Sequence, residues 1–180
     1  MTLAALTGCS SDKPADEKSA PSTPAASKPA PAPSTTEAVS EEEATQAKAI
    51  SVYETFWAEM ERLYADKGTK TDSLKKYAAA EALVNGENGI KTMHAGGKVV
   101  TGKVVLGDTT VTKSDLDRKV PNVFLSVCLD VSKWNVLHAD SGKPVALPST
   151  RLTKYVVEAT VEEWPQGWRV VRNRPQEKPC

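Results

Sequence analysis

The apolar residues of this chain change period once. Across residues 50–64 they fall at Ile50, Tyr53, Phe56, Trp57, Met60, Leu63 and Tyr64. Steps of three and four put them on one face of a helix. From Val99 onward the period is two. In NVFLSVCLDVS, Val123, Leu125, Val127, Leu129 and Val131 share one face, and Phe124, Ser126, Cys128 and Asp130 share the other. Helices followed by antiparallel strands predict an α+β fold, with the N-terminal helices packed on a curved sheet of about four to five strands.

Local signals divide the pattern further. Ser40 followed by Glu43 predicts a capping box, and three glutamates favour the positive end of a helix. Gly68 is expected to end that helix. Thr71 and Asp72 offer a second cap, with Leu74, Tyr77, Ala78, Ala82 and Leu83 inward on one or two shorter helices. Asn85-Gly86 predicts a break, and residues 88–97 read as either a short helix or a loop. Gly107-Asp108 predicts a turn between strands, and residues 140–142 another. Tyr155, Val157, Ala159 and Val161 mark one face of a later strand. Pro165-Gln166-Gly167 then joins it to GWRVVRN as a hairpin.

Residues 10–43 are almost free of large apolar side chains. Such a segment cannot offset its ordering entropy by burial, and is expected as a disordered tail. Its prolines favour an extended spacer of about 3.1 Å per residue. Just before it stands Leu6-Thr7-Gly8-Cys9, which resembles the lipobox of bacterial lipoproteins. The resemblance implies diacylglyceryl transfer to the Cys9 thiol and cleavage before it. MTLAALTG is apolar but short and lacks a Lys or Arg, so it reads as the end of a longer signal peptide. The implied organisation is a truncated signal segment at 1–9, a tether at 10–43 and a domain at 44–180. The implied location is the outer face of the cell membrane, held by lipid on Cys9. Two acyl chains are what stable anchoring needs.

Cys128 and Cys180 remain once Cys9 is lipidated. An exported pair tends to bridge, and a Cys128–Cys180 disulfide would tie a charged, proline-containing tail to the sheet. It would stabilise by about 2–4 kcal/mol. Neither cysteine has metal-ligand spacing or a neighbouring histidine, so no metal or other cofactor is expected. The 23 basic and 23 acidic residues cancel, which argues against nucleic acid as a partner. No glycine group forms a phosphate loop. No serine sits in a nucleophile elbow.

A long amphipathic helix, one or two short ones and about four antiparallel strands resemble the NTF2-like fold, named for nuclear transport factor 2. That family includes SnoaL polyketide cyclases and ketosteroid isomerases. The lipobox, the Pro/Ala tether, VCLDVSKW with Cys128, Asp130 and Trp134, and the terminal GWRV at Gly167 and Trp168 also resemble small secreted lipoproteins of actinobacterial type. The resemblance covers about residues 44–180. It implies a cone whose sheet wraps a cavity, sometimes paired as a homodimer through the sheet. Members of the fold include both enzymes and binders, so the fold does not choose between them.

Two readings of Asp130 stand beside each other. In an apolar pocket its raised pKa would suit a general base, with Tyr53, Tyr64 or Tyr77 stabilising an oxyanion. At a strand end it would instead serve the turn before SKW, and that second reading is favoured. His94 and His138 read as exposed loop residues. Trp134, Trp164 and Trp168, with His138, are candidate binding residues, against the alternative that Trp164 packs on Trp168 across the hairpin. These signals favour non-catalytic binding of a small ligand or an envelope protein at the cavity or its rim. A cyclase- or isomerase-type enzyme using Asp130 is the alternative, and an envelope assembly factor a third.

Overall fold

The computed structural model describes residues 40–68 and 70–180. The segments assigned as signal peptide and tether, Cys9 included, lie outside the described residues up to residue 39.

Helix α1 (Glu41–Ala65) starts at the expected capping box. Ser40 Oγ accepts from the Glu43 amide at 3.1 Å, and the Glu43 carboxylate accepts from the Ser40 amide at 3.0 Å. The two bonds satisfy donors that a helix start leaves orphaned. The first helix therefore starts at residue 41. The helix ends ahead of Gly68, where Asp66 turns extended. Ala49, Tyr53, Phe56, Trp57, Met60 and Leu63 are buried along its inner face.

A short 3-10 turn at Asp72–Lys76 leads to α2 (Ala80–Ala95). The break expected at Asn85-Gly86 does not occur, and α2 runs through both residues. Gly86 faces the core instead. A Cβ there would lie 2.9 Å from Leu74 Cδ2 and 3.1 Å from Met60 Sδ. This glycine lets two helical segments approach, and the surrounding burial outweighs its poor helix propensity.

Six strands follow: β1 (Lys98–Thr101), β2 (Val105–Asp115), β3 (Asn122–Asp130), β4 (Asn135–His138), β5 (Lys154–Trp164) and β6 (Gly167–Pro179). They form two antiparallel sheets, one of order β2-β3-β5-β6 and a separate pair β1-β4. The split falls at Gly102, whose φ is +100° and where a Cβ would collide with the Lys133 carbonyl. Gly107-Asp108 is not a turn between strands. It lies within β2, where the register to β3 slips between Gly107 and Thr110 as a bulge.

The inner face of β3 is the expected one: Val123, Leu125, Val127, Leu129 and, just beyond the strand, Val131 are buried. Val157, Ala159 and Val161 of β5 and Val170 of β6 extend that surface, and α1 lies on it. β6 continues well past GWRVVRN. Its far end pairs with β5, Tyr155 opposite Pro179, and the Cys128–Cys180 disulfide ties it down with a Cα separation of 5.8 Å. Among the described residues no helix is long and apolar enough to cross a membrane.

Candidate functional site

Between the helices and the sheet lies a cavity of about 260 Å³. Helix periodicity brings Phe56, Trp57, Met60 and Tyr64 of α1 to one wall. Ala82, Asn85 and Gly86 of α2 form a second. Tyr155 of β5 and Asn173 and Pro175 of β6 close the sheet side, and Trp134 completes the lining.

Trp134 reaches the cavity through the turn that follows β3. There Asp130 Oδ1 accepts from the Ser132 amide at 2.8 Å, and the Trp134 amide donates to the Val131 carbonyl at 3.0 Å. The indole then meets Tyr64 at 5.3 Å and Trp57 at 6.1 Å between ring centroids, both edge-on. Such geometry matches the positive edge of one ring to the negative face of another.

Polar groups on these walls are few and uncharged. The Tyr53 hydroxyl, just behind the lining, donates to Asn173 Oδ1 at 2.8 Å. The Trp57 indole N–H is buried beside the Tyr53 hydroxyl. Burial pushes the Tyr53 phenol far above its usual pKa, and the neighbouring Trp57 indole offsets part of that rise. Burial also raises Tyr64 and Tyr155. All three phenols stay neutral at ordinary pH, as donors rather than anions. None of the residues lining the cavity is a carboxylate or a histidine.

The residues expected from sequence scatter. Asp130 is outside the cavity lining. Hydrogen bonds from Ser132 hold its carboxyl below the usual carboxylate range, with Lys154 and Lys133 adding to the effect. That is the environment of a turn residue, opposite to the raised pKa a general base requires. Of the oxyanion candidates, Tyr64 lines the cavity and Tyr53 backs it, while Tyr77 packs elsewhere against the core. Trp134 alone of the three late tryptophans reaches the cavity. Trp168 is buried opposite Glu163, and Trp164 stands opposite Gly167 with its indole donating to Glu162. Their register puts the two on successive positions of the hairpin, so the expected Trp164–Trp168 pair does not form. His138 is exposed at the end of β4, away from the cavity. His94 is not an exposed loop residue: it sits in the last turn of α2, with both ring nitrogens buried and unpartnered.

Larger hollows exist elsewhere. One of about 620 Å³ lies at the start of α1 among Glu41, Glu42, Lys48, Asp117 and Glu163. Two more, about 340 and 400 Å³, share Phe124, Thr160 and Arg172 on the outer face of the larger sheet. Their linings mix acidic and basic side chains. Among the described residues no group of His, Cys, Asp and Glu could hold a metal ion.

Among solved structures with a similar fold is the intermembrane space region of the chloroplast protein ARC6, with a TM-score of 0.51 and 10% sequence identity, covering 72% of this chain and 95% of that one. At that identity the likeness is one of fold alone. No family model matches the chain. No curated protein matches it.

Sequence reasoning treated Trp57 and Met60 as core, and Tyr64 as core or an oxyanion partner. The period shows which helix face is inward, but not where the packing beneath it stays open. Asn173 gave a weak signal, as a polar residue following the buried run of the last strand.

Proposed function

We propose that this chain is an extracytoplasmic lipoprotein whose NTF2-like domain binds a small molecule in the aromatic cavity without transforming it. The cavity carries the reading. Five aromatic side chains and two amides line a space close in size to small-molecule sites, and no titratable acid or base in the lining is tuned for proton transfer. Helices packed against an antiparallel sheet around that space support the NTF2-like assignment. The lipobox at Cys9 supports the membrane anchor. Asp130 gives the isomerase alternative no support, because its carboxyl is committed to the turn.

Two experiments test the reading. Cys9→Ala in cells should move the protein from the membrane fraction to the soluble extracytoplasmic fraction; retention in the membrane overturns the anchor. Chemical-shift mapping with benzyl alcohol, a small uncharged aromatic, should move the Trp57 and Trp134 indole signals and the Met60 methyl. Shifts confined to the outer sheet face, or none at all, overturn the cavity as the binding site.

A further inference from the structure

We infer that the turn between β4 and β5 is a membrane-docking surface whose partner is an anionic lipid bilayer. The inference deepens the membrane reading above and rests on it for its setting.

Residues 139–153 join β4 to β5 without a helix or strand. Both ends are fastened. The Val145 amide donates to the Val136 carbonyl at 2.9 Å, and the Val131 amide to the Thr153 carbonyl at 2.8 Å. Between the fastenings the Arg151 amide donates to the Pro148 carbonyl at 3.2 Å, which closes a β-turn. Leu147 and Leu152 flank that turn, one on each arm. They are 39% and 44% exposed, and no other leucine among the described residues is exposed. Val105, also exposed, stands at the same end of the larger sheet: it lies opposite Asp130, and Asp130 lies opposite Lys154. Apolar side chains scattered singly over a surface need no explanation. These are gathered at one end.

The charge there is one-sided. No acidic residue occurs between Asp140 and Glu158, where Lys143, Arg151 and Lys154 all fall. Lys133 joins them from the turn after β3, close enough to act on the Asp130 carboxyl. Among the described residues none of these four bases forms a salt bridge. Asp130 is the acid beside them, and its carboxylate is occupied by the Ser132 amide.

A bilayer fits this chemistry better than a protein does. Protein hot spots are built on tryptophan, tyrosine and arginine in a pocket, and leucine and valine are under-represented in them. Residues 139–153 include no aromatic side chain, and a turn presents no pocket. Leucines enter the boundary between headgroups and acyl chains, while lysine and arginine bury their stems and keep their charge among the lipid phosphates. Each base held near an anionic surface strengthens binding about fivefold. Contact through a few bases and two leucines is transient and screened by salt. It is released on dilution once an acyl anchor is gone, and it is populated when the anchor raises the local concentration. The surface therefore orients an anchored domain and does not replace the anchor.

The full-length Cys9→Ser chain carries no acyl group and isolates the surface. With vesicles of phosphatidylglycerol and phosphatidylcholine in equal parts it should cosediment at low salt. With phosphatidylcholine alone, binding should be at least about tenfold weaker. Raising the salt to about 0.5 M should remove it. Arg151→Gln combined with Lys154→Gln should lose about 25-fold, fivefold for each charge. Leu147→Ser combined with Leu152→Ser should lose about tenfold. Val84→Ser removes an exposed side chain from α2 and should lose nothing. A spin-labelled lipid in the mixed vesicles should broaden the amides of residues 147–152 in the chain without these surface changes, which decides the site should a paired variant fail to fold.

Equal binding to both vesicles, binding that survives high salt or either paired variant, or broadening centred elsewhere overturns the inference. Absence of binding to both vesicles overturns it too, and shifts of the same amides with polyglutamate would then give the turn to an acidic protein. None of these results touches the acyl anchor, which Cys9→Ala in cells tests separately.

Discussion

Gly86 shows how one missing side chain positions the site. It sits mid-helix in α2, where glycine weakens a helix by about 0.5–1 kcal/mol relative to alanine. At an open position Gly86→Ala would therefore stabilise. Here the added Cβ would press on Leu74 Cδ2 and Met60 Sδ, and overpacking of this kind costs about 1–3 kcal/mol. The second effect is larger. Gly86→Ala should lower stability by about 1 kcal/mol in urea denaturation, and a gain would show that α2 has room to move off α1. Tyr53 is the complementary case. Its hydroxyl is held by Asn173 across 120 positions of sequence, and Tyr53→Phe removes that bond while keeping the ring. The expected loss is about 1 kcal/mol, read by the same denaturation. An unchanged midpoint would mean that water serves Asn173 equally well.

Elements were legible from sequence where their signals were local. Ser40 and Glu43 form the box that their spacing announces. Alternation along β3 assigned every inward residue correctly, because a period of two leaves one register that buries the apolar set. The cysteine pair joined as its position implied. The errors came from glycine. At 86 it permits close packing, and at 107 it sits in a bulge. The same residue type reads as punctuation in both places, and only the neighbours in space distinguish them. The site was illegible for a related reason, since whether Trp57 packs on atoms or faces a cavity depends on residues far away in the chain. The disulfide gives a test at this scale. It spans 52 positions and fixes the end of β6, the strand that also carries Asn173 and Pro175 to the cavity. Cys180→Ser should cost about 2–4 kcal/mol, and amide exchange should accelerate first toward the end of β6. Native protein in reductant should match the variant. Uniform acceleration across the whole sheet would show instead that the bridge supports the core and not the strand end.

The folded domain as a whole should hold its stability across a wide pH plateau, with edges set by two kinds of group. On the acid side are carboxyls held low. Arg62 lowers Glu59, Arg174 lowers Glu81, and Ser132 lowers Asp130. Their folded pKa values lie below the unfolded ones, so their contribution is present above about pH 4–5 and is lost as pH falls through the folded values. On the alkaline side are the phenols of Tyr53, Tyr64 and Tyr155, all raised by burial. An unfolded tyrosine loses its proton near pH 10. Above that pH the unfolded chain releases protons that the folded chain keeps, so unfolding becomes easier with each further unit. Tyr53, the most deeply buried, should contribute a slope of about 1.4 kcal/mol per pH unit once its unfolded pKa is passed. Phenolate absorbance should therefore rise late and together with the loss of tertiary structure. Tyr53→Phe should lower stability at neutral pH yet flatten this alkaline slope, since it removes the group that couples unfolding to proton release. A variant with an unchanged slope would mean that the Tyr53 phenol ionises inside the folded domain. Water would then reach the hydroxyl behind the aromatic wall.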